Sequence, residues 1–226
     1  MPAILLVTAH PDDEAFGPPG TIAYYVSKGV PVDLLTLTLG QRGTTSTAAD
    51  TPEALGRLRE YETRASASVL GIRTLTILDY MDGELDQVDV DELAAHITHA
   101  IDQGNIDTII GMGPMGITNH ADHIAAHHAT MRAVERSKRE LHVFYQAVTG
   151  AFAKQLGVIG PEAEPTHEID ISAFFETKLA SLACHSSQED SRQFFAMMAG
   201  GGPKVEWFHR VQPPYSGAGL ANDLFG

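Results

Sequence analysis

The feature that most constrains this chain is an alternation of short apolar runs with amphipathic stretches. Residues 4–8, 31–39, 73–78, 107–111 and 141–146 are apolar blocks bounded by turn residues, and 53–70, 91–103 and 124–136 repeat apolar residues at helical spacing. A strand that is apolar throughout needs cover on both faces, and strand–helix alternation supplies it by laying helices on each side of a parallel sheet. The pattern therefore predicts an α/β fold. Beyond residue 150 the alternation loosens. Residues 161–165 read as a linker, 168–171 as a short strand, and 172–183 and about 190–199 as helices. Residues 205–211 form a last edge strand after the break at Gly200-Gly201-Gly202-Pro203. A chain of 226 residues can bury one substantial core. The tail is thus expected to extend a single domain, 1–149 forming its core and 150–226 an α+β extension.

Directly after the first run comes Ala9-His10-Pro11-Asp12-Asp13-Glu14. A histidine and three carboxylates packed so closely are not core residues. Pro11 biases His10 away from helical backbone, so a helix begins only after it. Gly17-Pro18-Pro19-Gly20 then interrupts the start of the 14–28 helix, which properly begins near Pro19 or Thr21. The C-terminal edge of a parallel sheet is where open α/β folds place their ligands. His10 and Asp13 are suitable ligands for a borderline divalent metal. Acidic residues at a helix start are also ordinary caps.

A second cluster, His120-Ala121-Asp122-His123, follows a glycine-rich loop leaving another strand and opens the next helix. Two such exits can meet in a doubly wound sheet. His10, Asp13 and His123 would then form a facial set with water in the open position, the pattern of a catalytic rather than a closed structural metal. By elimination, Asp12 is the candidate general base and a protonated His120 the candidate donor to a developing oxyanion. Asp122 would hold His120 or a ligand imidazole in one tautomer. Such an assembly suits hydrolysis of an amide or ester carbonyl. An amidase or esterase for a larger acyl conjugate, or a non-catalytic metal-binding protein, are the alternatives.

Other features carry less. Arg42, in the polar loop after 31–39, is either a substrate-contact cation or a solvated arginine, and the acids of the 79–85 turn read more simply as solvated than as pocket-lining. His96 and His99 read as surface or packing residues. His127 lies one turn beyond His123 but without the glutamate of His-Glu-x-x-His, so it is not expected to be a ligand. Cys184 is the lone cysteine, which excludes an intrachain disulfide and a thiolate cluster, and it is expected to be a buried thiol. No nucleophile elbow, dinucleotide fingerprint or phosphate loop is present. A net charge of −14 argues against nucleic acid or an anionic membrane as partner. No run is long enough to span a bilayer and no basic leader precedes the first apolar run, so a cytoplasmic location is expected.

Together the two clusters resemble those of the LmbE-like, or PIG-L, family of zinc-dependent N-deacetylases. Arg59-Glu60-Tyr61-Glu62 running to Leu70-Gly71, Asp82-Gly83-Glu84-Leu85, Lys178 through His185-Ser186-Ser187-Gln188, and Glu206-Trp207-Phe208 also look like family segments. The resemblance implies a Rossmann-like three-layer sandwich with a mostly parallel central sheet. It further implies removal of an acetyl group from an N-acetylglucosaminyl conjugate, a small-molecule partner. Zn2+, or another divalent ion such as Fe2+, would be bound by His10, Asp13 and His123, with Asp12 as base and His120 stabilising the tetrahedral intermediate. It suggests Arg42 and His185 as substrate-lining residues and is compatible with a homo-oligomer. Two departures stand out: Ala121 where many relatives carry proline, and Asn119 where glycine is common.

Overall fold

The computed structural model of the chain describes residues 2–45 and 47–225. Ile4–Thr8 forms β1, buried along its whole length. Successive strand side chains point to opposite faces: Leu5 and Val7 enter one core, Ile4 and Leu6 the other. The chain then turns through α1 (Asp13–Phe16) and α2 (Pro19–Ser27), the latter opening on a proline whose missing N–H has no role at a helix start. After β2 (Val32–Thr38), α3 (Pro52–Leu70) is capped by Thr51, whose side chain accepts from the Ala54 N–H, and stops at Gly71 with φ 74°. Then come β3 (Thr74–Tyr80), α4 (Val90–Gly104), β4 (Thr108–Gly111), the short α5 (Gly116–Asn119), α6 (Ala121–Arg136) and β5 (His142–Ala147). The remainder is α7 (Gly150–Leu156), β6 (His167–Asp170), α8 (Phe175–Cys184), α9 (Glu189–Ala199) and β7 (Val205–Gln212).

The sheet order is β3-β2-β1-β4-β5-β7-β6. β1 to β5 pair in parallel, and β7 runs antiparallel between β5 and β6. Leu93, Ile97 and Ile101 of α4 and Ala126, Ala129 and Ala133 of α6 cover one face. Ile22 and Tyr25 of α2, Leu70 of α3, Phe175 and Leu182 of α8 and Met198 of α9 cover the other. The result is the expected mostly parallel, three-layer α/β fold. Connections reverse direction between β1 and β4, and the crevice opened there at the strand ends is the usual ligand position.

Three local readings change. β3 runs on to Tyr80, and its burial alternates because it forms the sheet edge. α6 starts at Ala121, which puts His123 in its first turn. The stretch read as a linker holds a 3-10 turn, Gly160–Ala163, with Glu162 fully buried. Its carboxylate accepts from the backbone N–H groups of Met115 and Ile117, both at 2.8 Å, contacts that no local pattern announces. Among the described residues, no helix is long and apolar enough to cross a membrane.

Candidate metal centre

The exit of β1 is a tightly wound segment. Asp12 sits at φ 98°, a left-handed conformation that costs a non-glycine residue about 1–3 kcal/mol. Arg59 of α3 holds it there: Nη2 donates to Asp12 Oδ2 at 2.8 Å and to the Pro11 carbonyl, and Nη1 donates to the Gly40 carbonyl at 2.9 Å. Asp13 folds back, its Oδ2 accepting from the N–H groups of Ala9 at 3.0 Å and His10 at 2.9 Å. Glu14 is fully buried, accepting from the Asp12 N–H at 3.1 Å and pairing with His185 Nε2 at 2.6 Å.

The exit of β4 is equally constrained. Gly116 has φ 57°, and a Cβ there would lie 2.5 Å from Cβ of His123. Its carbonyl lies 2.9 Å from His123 Nδ1, so Nδ1–H donates to it and Nε2 is left for the cluster. Ile117 (φ 58°, ψ −52°) and Asn119 (φ 58°) are also left-handed. Asparagine is one of the few side chains that tolerate this, which accommodates the departure from glycine. Glu162 pins the loop at Met115 and at the strained Ile117. His120 caps α6, its Nδ1 accepting from the Asp122 N–H at 3.2 Å.

The two exits meet. His10 Nδ1 and His123 Nε2 are 3.2 Å apart, Asp13 Oδ1 lies 3.3 Å from His123 Nε2, and Asp13 Oδ2 lies 4.0 Å from His10 Nδ1. The other ring nitrogen of His10 is committed: Nε2 lies 2.9 Å from Asp122 Oδ2 and 3.2 Å from Asp82 Oδ1. Asp122 is fully buried and fixed by the N–H groups of Gly83 at 2.7 Å and Leu85 at 3.0 Å. Asp122 therefore orients His10 rather than its sequence neighbour His120. His10, Asp13 and His123 offer two imidazole nitrogens and one carboxylate within 4.8 Å of one another, a donor set that fits a borderline divalent ion. His10, His120 and Asp122 form a second such group that shares His10.

The electrostatics agree. Burial disfavours a charged His10, but its bonds to Asp122 and Asp82 and the charge of Asp13 outweigh this and raise it from 6.5 to about 10. Burial likewise opposes the raising of His123, and Asp13 prevails. Asp13 is buried too, yet the two imidazoles hold it below the usual carboxylate range. The cluster thus stabilises positive charge, which is what a cation displacing protons requires. Asp12 differs: burial pushes it up to about 7, with Arg59 acting against that rise. Burial and the His10 and His123 imidazoles lower His120, which runs against the protonated form expected from the sequence. Its Nδ1 accepts a hydrogen bond, which places the proton on Nε2.

All six residues expected in the centre converge on it, and Asp12, His120 and the three donors line one cavity. Asp82 is a correction: it is buried, not a solvated turn acid, because it pairs with His10 and accepts from the Arg42 N–H at 3.0 Å. Arg42 lines the cavity, exposed and ion-paired with Glu84. His185 is a second correction. It is fully buried against Glu14 and does not line the cavity. Cys184 is half-buried rather than buried, its thiol donating to the Ala180 carbonyl at 3.3 Å. His127 packs on Tyr145 with Nδ1 at 3.2 Å from the Met112 carbonyl. The polar contacts of Arg59 and Glu162 lie outside what sequence reasoning assigned.

A family model described as PIG-L, GlcNAc-PI de-N-acetylase, matches residues 5–134. The 1D-myo-inositol 2-acetamido-2-deoxy-alpha-D-glucopyranoside deacetylase of Acidothermus cellulolyticus is 30% identical, over 99% of this chain and 94% of its own length. The probable N-acetyl-alpha-D-glucosaminyl L-malate deacetylase 2 of Bacillus cereus is 34% identical, over 83% of this chain and 84% of its own. Among solved structures, GalB, the 4-carboxy-2-hydroxymuconate hydratase of Pseudomonas putida, superposes with a TM-score of 0.76 at 19% identity, covering 96% of this chain and 99% of that one. That likeness shows the fold alone, and the same fold carrying a hydratase means that chemistry must be argued from the site. With more than half its length matched and two relatives at or above 30% identity, the chain belongs to the PIG-L family.

Proposed function

We propose that the chain removes the N-acetyl group from an N-acetylglucosaminyl conjugate, with a divalent ion, zinc or another such as Fe2+, held by His10, Asp13 and His123. The observation that carries this reading is the presence of Asp12 and His120 in the same cavity as the three donors. A purely structural metal needs neither. Relatives named as deacetylases of acetamido sugars supply the substrate class.

When bound, the ion would polarise the acetyl carbonyl and lower the pKa of water beside it. Asp12 takes the proton from the attacking water. Arg59 occupies its Oδ2, so Oδ1 is the accepting oxygen. The same carboxyl then passes the proton to the leaving amine nitrogen, so that amide and water become acetate and free amine. His120 donates from Nε2–H to the oxygen that gains charge, and removing such a donor typically costs about 3–4 kcal/mol. Asp122 and Asp82 keep the His10 proton on Nε2, leaving Nδ1 as the donor to the ion. Residues 1–226 act as one domain, and the 150–226 extension supplies one wall of the cavity.

Acetate release from N-acetylglucosamine conjugates, measured before and after chelation and after metal is restored, tests the reaction. Asp12→Asn is expected to retain metal and lose turnover. Parental turnover, or stoichiometric loss of metal, would reject Asp12 as the base.

A further inference from the structure

The cavity has a volume of about 1010 Å³, at the upper end of the roughly 300–1,000 Å³ usual for small-molecule sites. One acetamido sugar over the metal donors fills only part of it. Most of the remaining lining is apolar. Phe152 and Leu156 of α7 lie one turn apart, as do Phe194, Met197 and Met198 of α9, and both stripes face the cavity. Phe194 stacks at 4.9 Å on Phe16 and lies 6.4 Å from Phe152. Phe152 is 38% and Met197 50% exposed, whereas His10 and Asp13 are each 8% exposed. Phe152 and Met197 therefore stand at the mouth, Met198, 2% exposed, lies deeper, and the reacting carbonyl belongs at the floor.

Charge points the same way. The cations lining the cavity are Arg42, Arg59 and Lys178. Each is engaged: Arg42 with Glu84, Arg59 with Asp12, and Lys178 with Glu206 at 2.8 Å and with the Gly17 carbonyl at 3.2 Å. Glu189 and Asp190 add negative charge to the same lining. An anionic aglycone would meet this field with no unpaired lysine or arginine in the cavity lining, and an apolar group buried on the wall would gain transfer free energy.

Resting on the deacetylase reading, we propose that the outer half of the cavity is an aglycone subsite for an uncharged aromatic or alkyl group. The substrate is then an acetamido sugar carrying such an aglycone rather than a dicarboxylate.

The test uses the metal-loaded protein with four probes: N-acetylglucosamine, its phenyl and octyl glycosides, and its L-malate conjugate. Acetate release from the phenyl and octyl glycosides is expected to show kcat/KM about 10-fold or more above the free sugar. The malate conjugate should be no better than the free sugar. In Phe194→Ala and Phe152→Ala the ratio of aryl glycoside to free sugar falls toward one. A malate conjugate preferred over the aryl glycoside overturns the proposal. So does a kcat/KM for the phenyl and octyl glycosides equal to that for the free sugar. If no probe releases acetate, the deacetylase reading fails, and calorimetry with phenyl glucosaminide decides the subsite separately. Binding that weakens about 10-fold in Phe194→Ala supports it, and absent or unaltered binding overturns it.

Discussion

Glu162→Gln should weaken metal binding while leaving the fold intact. The side chain is fully buried, and its two oxygens each accept one backbone N–H, from Met115 and from Ile117, at 2.8 Å. Such charge-assisted bonds contribute roughly 1.5–3 kcal/mol each, together about 3–6. Against them stand Ile117 and Asn119 at φ 58°, each about 1–3 kcal/mol above a relaxed backbone. The two sums nearly cancel, so the loop keeps its shape only while both bonds exist. Glutamine retains one acceptor oxygen and turns an NH2 donor toward an N–H, removing about 1.5–3 kcal/mol. Gly116, whose carbonyl receives Nδ1–H of His123, lies between the two anchored residues. The expected outcome is a metal affinity lower by about 10- to 100-fold, since 1.4 kcal/mol corresponds to tenfold. Competition against a chromophoric chelator reads this, with circular dichroism confirming an unchanged fold. Ile117→Gly in the same background should recover part of the loss by removing one strained residue. Unchanged metal affinity in Glu162→Gln would refute the view that this carboxylate holds His123 in place.

Other expectations follow from the charges of the site. Because His10 is raised to about 10, an entering cation displaces its proton at neutral pH. Affinity should therefore tighten as pH rises, and calorimetry in buffers of different ionisation heat should show proton release; buffer-independent heats would contradict this. Arg59→Met removes the cation opposing burial at Asp12, so that carboxyl rises above about 7. The acid limb of the deacetylation pH profile should then move alkaline, with Arg59→Lys intermediate, and an unmoved limb would separate Arg59 from the base. His167 is lowered to about 4 by burial and the nearby Arg210 guanidinium, so its neutral form is the folded one. The unfolded chain binds the extra proton between about 6.5 and 4, and stability is lost as pH falls through that window. Urea titrations should show this dependence flattened in His167→Gln; an equal slope in both proteins would dismiss it.

What could be read from the sequence was what is written locally. Ile4–Thr8 announces a buried strand by its own side chains, and His10, Asp12, Asp13, His120 and His123 stand where strand exits end. Asp122 was legible as a tautomer-holding residue, although only distance shows that it serves His10. Asp82 was illegible because a turn acid earns burial only through a partner supplied by another strand exit. Arg59 reads as one more polar residue on an amphipathic helix, and its role arises when α3 docks beside the Asp12 turn. Glu162 lies in a proline-flanked stretch without periodicity, and its two donors come from a loop far earlier in the chain. His185 was suggested by the family resemblance alone, and its pairing with Glu14 is invisible in one dimension.

Placing the donors on β1 and β4 ties ion capture to folding order. His10 and His123 are 113 positions apart and meet only through the direct pairing of these two strands. Parallel partners this remote close late, since a long loop must be organised before any contact rewards it. Neither half of the chain can template the ion by itself, so uptake marks the moment at which the halves join. In stopped-flow refolding, quenching by a bound cobalt probe should lag behind the helical signal, and simultaneous traces would show that capture does not wait for the strands.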